Sequence, residues 1–196
     1  MAALLLALGI IGSVCLRLLV SGWTGAASAT GGLAFTAALV TTGRLVRSIA
    51  PANDPNQPAE HRAPVLWSAL VAIAATLLLA GVPLAVHLRT GGHPLPLAAF
   101  PQWSVVVALV AISEEWIFRG VGWRLLDVVN RWGPAPQILI LALTFAAMHI
   151  PFYGWSAAPV DFAAGLVLGC LRAATGRWQA CAATHLVADL AGWWLR

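Results

Sequence analysis

Apolar residues run along this chain in seven blocks: Ala2–Val20, Thr30–Val46, Pro64–Val86, Leu97–Arg119, Ala135–Ile150, Val160–Arg172 and Trp178–Leu195. A helix needs roughly 20 apolar residues to cross the hydrocarbon core of a bilayer. The blocks meet or approach that length, the sixth being the shortest. No ten-residue alternation with aromatic girdles marks a membrane barrel. The pattern therefore predicts an all-α polytopic bundle of about seven spans, a single membrane domain over residues 1–196, with no internal repeat. Three helices and a loop occupy residues 1–98.

Polar residues punctuate the blocks. "SIAPANDPNQPAEHRAP", Ser48 to Pro64, has the proline and asparagine of a helix breaker and reads as an exposed loop. Arg44, Arg47, Arg62, Arg124, Arg131, Arg172 and Arg177 fall on one side of a seven-span chain. Arg89 and Arg196 fall on the other, and Arg17 is an exception. By the positive-inside rule the N-terminus is cytoplasmic, in the cell (plasma) membrane. Trp23, Trp132 and Trp178 lie near block ends, as an interfacial belt requires. "AASA", Ala26 to Ala29, resembles a signal-peptide cleavage site, but no basic residue precedes the first block and Arg17 lies before the site.

Composition agrees. Of 196 residues, 60% are apolar and 9% charged, against about 25% charged in a soluble domain. Mean hydropathy is +0.85. The lipid bilayer is thus the expected partner. Every basic residue is arginine, and a net charge of +4 without a basic, aromatic-interleaved run excludes a nucleic-acid surface. Cys15, Cys170 and Cys181 all fall in apolar blocks and read as small buried hydrophobes.

Against that background three short stretches are out of place. In "EEWIFR", Glu115 and Arg119 are four apart, on one helical face and in the favourable order. Glu114 points about 100° away around the axis, so one carboxylate is neutralised and its neighbour is left. In "FAAMH", Phe145 lies one turn before His149 and can wall a site. In "HLVAD", His185 and Asp189 again share a face. Charge inside a membrane is costly and by default marks function. Three helices that each send acidic or imidazole groups inward favour catalysis, though a proton or ion pathway also fits. Asp161, by contrast, reads as a first-turn acid favoured by the helix dipole.

The three stretches resemble the EExxxR, FxxxH and HxxxN/D motifs of the CAAX-protease and bacteriocin-processing (Abi) family, intramembrane glutamic endopeptidases. "GLVLGCLRAATGRWQACAATHLVAD" resembles the region that links the later motifs. The likeness runs from about Trp103 to Trp194 and makes residues 99–196 the catalytic core; Asp189 stands where many members have Asn. It implies an all-helical core with a cavity open to the cytoplasmic side and a membrane-embedded or lipidated peptide or protein as substrate. Glu114 and His149 would activate a water. Glu115 and Arg119 would organise the site, and His185 and Asp189 would stabilise the oxyanion or position the carbonyl.

The chemistry asks for the same parts: a base for water, an acid for the leaving amine and a donor for the oxyanion. No cofactor or metal is called for. Zinc held by Glu114, His149 and His185 is the rival enzyme reading, since two histidines and a glutamate leave one position open. It lacks a HExxH pair and leaves Glu115 and Arg119 without a task. A transport- or immunity-type membrane protein is the rival outside enzymes. One point of geometry constrains the site. If the fourth helix stopped at Arg119, Glu114 and His149 would differ in depth by on the order of 10 Å at 1.5 Å per residue. "RLLDVVN" can carry the helix to Asn130, so a long or bent fourth helix is predicted. One bridging water then puts the Glu114 carboxylate within about 6 Å of a His149 nitrogen. The cavity is expected to open laterally or toward Arg124 and Arg131.

Overall fold

The computed structural model describes residues 1–24, 29–49, 62–90, 100–129 and 133–192. Residues 50–61 of the proline-rich loop, 26–28 of the small-residue stretch, and Asn130, Arg131, Trp132 and Arg196 lie outside them. Seven helices follow one another without a strand among the described residues. They are α1 Ala2–Thr24, α2 Ala29–Ile49, α3 Val65–Arg89, α4 over residues 100–129, α5 Pro134–Tyr153, α6 Ala158–Thr175 and α7 Trp178–Ala191.

Among the described residues, α1, α3, α5 and α6 are long and apolar enough to cross a membrane, four where the block pattern suggested about seven. The other three carry much of the polar load. Helix α2 ends in Arg44 and Arg47, α4 holds the "EEWIFR" stretch, and α7 holds His185 and Asp189. Glycine stops α6: Gly176 takes φ 67° and its N–H donates to the Arg172 carbonyl at 2.9 Å, the left-handed cap that a Cβ would disfavour.

Helix α4 is long and irregular. Regular turns over Phe100–Glu115 give way to a wider π-helical stretch, Trp116–Gly122, and then to Trp123–Val129. Such stretches displace the i→i−4 ladder and change the direction of the side chains that follow. They often accompany function.

Helices α1, α2, α4 and α5 share one core of Ile10, Val14, Phe35, Leu39, Ile117 and Phe145 with their neighbours. The first helices thus pack directly against the motif-bearing ones. Helix α6 lies along α5. A Cβ on Gly165 would sit 2.8 Å from the Ala142 Cα, and one on Gly169 would sit 2.9 Å from Ile138 Cγ2. The glycines let the two backbones approach within the chain, a known use of the GxxxG spacing. Leu4, Leu8, Leu66, Leu70, Leu77 and Val160 point away from the protein, as they can where lipid is the solvent. Cys181 is buried, but Cys15 and Cys170 are on the outer surface. That corrects the expectation that all three thiols pack inside: an apolar block shows that a residue is in the membrane, not which way it faces.

Candidate active site

The two glutamates of α4 are equally hidden and differently occupied. Glu114 is 2% exposed, Glu115 and Arg119 0%. Arg119 Nη1 donates to Glu115 Oε1 at 2.8 Å, and its Nη2 donates to the Gly165 carbonyl at 3.0 Å. Its guanidinium also lies 5.0 Å from the centre of the Phe145 ring. Arg172 of α6 donates from Nε to the Arg119 carbonyl at 2.8 Å, within the stretch where the wider turn displaces the regular ladder. The arginine pair thus ties the bulged part of α4 to α6.

Helix α7 joins the same cluster. His185 Nδ1 lies 2.9 Å from Glu115 Oε1, so that one oxygen serves both Arg119 and His185. The other ring nitrogen, Nε2, is 3.5 Å from Asp189 and 4.0 Å from Glu114 Oε2. The 4-residue spacings in "EEWIFR" and "HLVAD" make their expected pairs. The bond from His185 to Glu115, which couples the two motifs, has no counterpart in the sequence spacing.

His149 of α5 faces the remaining carboxylate. Its Nδ1 is 2.8 Å from the Phe145 carbonyl. A carbonyl only accepts, so Nδ1 carries the hydrogen and Nε2 of the neutral ring is an acceptor. That Nε2 lies 3.9 Å from Glu114 Oε1, inside the span expected for one bridging water. Glu114 Oε1 is buried and has no hydrogen-bond partner among the described residues. Phe145, 4.5 Å away between ring centres, and Tyr153, stacked at 15° and 5.7 Å, hold the imidazole on its two sides. The continuation of α4 past Arg119 provides the common depth of Glu114 and His149.

These groups line one cavity of about 540 Å³. Glu114, His149, His185 and Asp189 share it with Phe145, Tyr153 and an apolar wall that includes Leu78, Val110 and Leu168. Two further charged residues border it, Arg17 of α1 and Asp161 of α6. Neither was singled out for chemistry by spacing. Arg17 did signal itself as the exception in the charge count. Asp161 is in the first turn of α6, as its sequence position indicates, but it also faces the cavity, and its Oδ2 is buried without a hydrogen-bond partner.

The lining lies toward one end of the bundle. Arg17, Pro83, Tyr153, Pro159 and Asp189 belong to the end of the bundle where α1, α3, α5 and α7 finish and α6 begins. Arg124 and Arg177 lie toward the other end. There the chain is drawn together: Ala63 N–H donates to the Thr175 carbonyl at 3.1 Å and Arg177 donates to the Ala63 carbonyl at 3.4 Å.

Fold and site define the class: an all-α integral membrane protein whose buried acids and imidazoles share a cavity. Residues 96–191 match the family described as type II CAAX prenyl endopeptidase, Rce1-like. Over that segment, just under half of its length, the chain is similar to the CAAX-protease family of intramembrane endopeptidases. No curated protein and no solved structure matches the chain. Among the described residues, no group of three or more His, Cys, Asp and Glu side chains is arranged to hold a metal ion.

Proposed function

We propose that the protein hydrolyses a peptide bond in a membrane-associated or lipidated substrate, with a water activated between Glu114 and His149. The observation that carries this reading is the pair of acceptors 3.9 Å apart, one of them a buried carboxylate oxygen with no partner. A water between them donates one hydrogen to each and keeps a lone pair for the substrate carbonyl. Contacts longer than 3.5 Å between polar groups commonly hold such a water.

Glu114 takes a proton as the water oxygen bonds to the carbonyl carbon. The carbonyl oxygen becomes an oxyanion. His185 has carboxylates at both ring nitrogens, an arrangement suited to a ring that donates from both. Its Nε2 faces the cavity and donates to the oxyanion. Arg119 and Glu115 hold His185 from behind. The carbon–nitrogen bond then breaks, and Glu114 returns its proton to the leaving amine. One water is consumed, and one new carboxylate and one new amine are formed.

Under this reading the lipid-facing helices and the apolar wall accept a lipid-bearing or strongly apolar segment. The test compares membrane peptides from cells that express the wild type and Glu114→Gln. Fragments with new termini should appear only with the wild type. Identical peptide populations from the two, with both proteins folded and at equal abundance, would refute the proposal.

A further inference from the structure

Arg172 stands outside the three motif stretches, and the charge pattern marks it only as one more arginine near the end of a block. It is nevertheless 2% exposed, in the interior of a membrane protein. Its partner explains why. Trp123 is the first residue of the regular turns that follow the wide stretch of α4, and its N–H donates to the Phe118 carbonyl. In an unbroken α-helix that N–H would reach four residues back, to Arg119. The wide turn thus passes over the Arg119 carbonyl, and Nε of Arg172 donates to it at 2.8 Å. A carbonyl released from a helix ladder inside a membrane needs such a donor, because no bulk water is there to supply one. The Arg172 guanidinium also lies 5.3 Å from the centre of the Trp123 ring. One side chain of α6 therefore holds both the released carbonyl and the residue where the regular turns resume.

The released carbonyl belongs to the arginine that organises the site. Helix α6 holds Arg119 at two points: the Gly165 carbonyl accepts from its Nη2 at 3.0 Å, and Arg172 donates to its own carbonyl. Gly165 and Arg172 are seven residues apart, on one face of α6 and about 10 Å apart along it. Nη1 of the same guanidinium holds Glu115 Oε1 at 2.8 Å, and that oxygen meets His185 Nδ1 at 2.9 Å. Position passes from Arg172 to the Arg119 backbone, then to Glu115, then to the ring whose Nε2 faces Glu114 and Asp189. We infer that Arg172 is a positioning residue for the hydrolytic site: by donating to the carbonyl that the wide turn releases, it keeps that turn open and sets where Glu115 holds His185. Without the donor, the Trp123 N–H returns to Arg119, α4 closes to regular turns, and the Arg119 guanidinium leaves its place between Glu115 and Gly165. The inference rests on the endopeptidase reading above and adds to it a residue that acts on the site without lining the cavity.

The test separates the donor from the charge. The amide nitrogen of glutamine is as many bonds from the backbone as Nε of arginine. Arg172→Gln therefore keeps an N–H donor in place and removes the charge and its contact with Trp123. Arg172→Met keeps the length and removes the donor. Both variants are made in the full chain in phosphatidylcholine nanodiscs, and cleavage of an internally quenched farnesylated peptide is followed per folded molecule. Arg172→Met should lower kcat by about 10- to 100-fold, the scale of loss from a misplacement on the order of 1 Å. Its KM should stay within about twofold of the wild type, because the contact of His185 with the oxyanion exists only in the transition state. Arg172→Gln should keep kcat within about threefold, a neutral hydrogen bond replacing the charge-assisted one. A merely structural role would lower the melting temperature of Arg172→Met and leave its kcat per folded molecule unchanged, and that outcome overturns the inference. So do equal losses of kcat in the two variants, which would assign the effect to the charge. A second readout needs no cleavage. With isotope-labelled histidine read by nitrogen NMR, the His185 signal, assigned by its loss in His185→Asn, should move in Arg172→Met and keep its wild-type position in Arg172→Gln. If Arg172→Met does not fold, Arg172→Gln decides: a moved His185 signal, or a kcat lower by about tenfold or more, refutes the inference. The two proposals can fail separately. Cleavage by the wild type with a His185 signal unmoved in Arg172→Met removes only the Arg172 assignment. No cleavage and unchanged membrane peptides in cells, with a signal that moves only in Arg172→Met, remove the endopeptidase reading and keep the positioning contact.

Discussion

Glu114 and Glu115 are adjacent, alike in chemistry and nearly alike in burial, yet one is engaged and the other is not. Glu115 Oε1 receives Arg119 and His185 at 2.8 and 2.9 Å. Among the described residues, the ionisable groups nearest Glu114 are His149 at 3.9 Å and His185 at 4.0 Å. The difference comes from the 100° step between successive residues on a helix. One carboxylate is directed toward α6 and α7, where an arginine neutralises it. The other lines the cavity, where water or substrate can hydrogen-bond to it. A buried acid that no side chain of the fold reaches is a candidate for chemistry, and one beside it that holds an arginine and a histidine through one oxygen, its Oε2 left without a partner, is a candidate for support.

If that division holds, removing the other half of the open pair should cost the most. His149→Ala deletes the second acceptor and should slow cleavage by about 10²–10⁴-fold, the usual contribution of a positioned acid or base, with little change in melting temperature. A rate assay alongside a thermal melt checks both parts. Arg119→Ala attacks the engaged side. It strands Glu115 and frees the Gly165 carbonyl, and should destabilise the protein by roughly 3–5 kcal/mol. An unchanged melting temperature would remove the ion pair from its supporting role.

Smaller effects sharpen the comparison. Gly165→Ala pushes a methyl against Ala142, whose Cα would be 2.8 Å away. Overpacking of that kind costs about 1–3 kcal/mol, and because α6 carries the carbonyl that holds Arg119, activity should fall with stability. Measurement of both in one preparation decides whether they are linked. Asp189 has a side chain 39% exposed and lies 3.5 Å from His185. Asp189→Asn keeps the shape and a hydrogen-bonding oxygen, so its effect should be the least, a change of a few-fold in rate on the scale of an exposed ion pair. A loss as large as that of His149→Ala would move Asp189 into the reacting centre.

Much of this was legible in the sequence, for identifiable reasons. Long apolar blocks mark helices whatever their partners, and residues four apart share a face. The helices and the Glu115–Arg119 and His185–Asp189 pairs follow from those two regularities. The need for Glu114 and His149 to share a depth made the long fourth helix legible as well. Contacts between helices were not. Nothing in the spacing of "HLVAD" says that His185 turns to Glu115, and no residue pattern marks Trp116–Gly122 as a wider turn. Arg17 and Asp161 reach the cavity only because α1 finishes and α6 begins at the same side of the bundle. Nor does a charge count contain the contact of Ala63 with Thr175 and Arg177, which draws distant parts of the chain together at the Arg124 end.

The most direct measurement compares Glu114→Gln with Glu115→Gln, each as purified full-length protein in nanodiscs, by cleavage rate per folded molecule and by melting temperature. The account predicts that Glu114→Gln folds and melts like the wild type and cleaves nothing above background, while Glu115→Gln melts at a lower temperature and keeps residual cleavage. Retention by Glu114→Gln of more than a few per cent of wild-type activity, with Glu115→Gln inactive but fully stable, would contradict it and exchange the roles of the two glutamates.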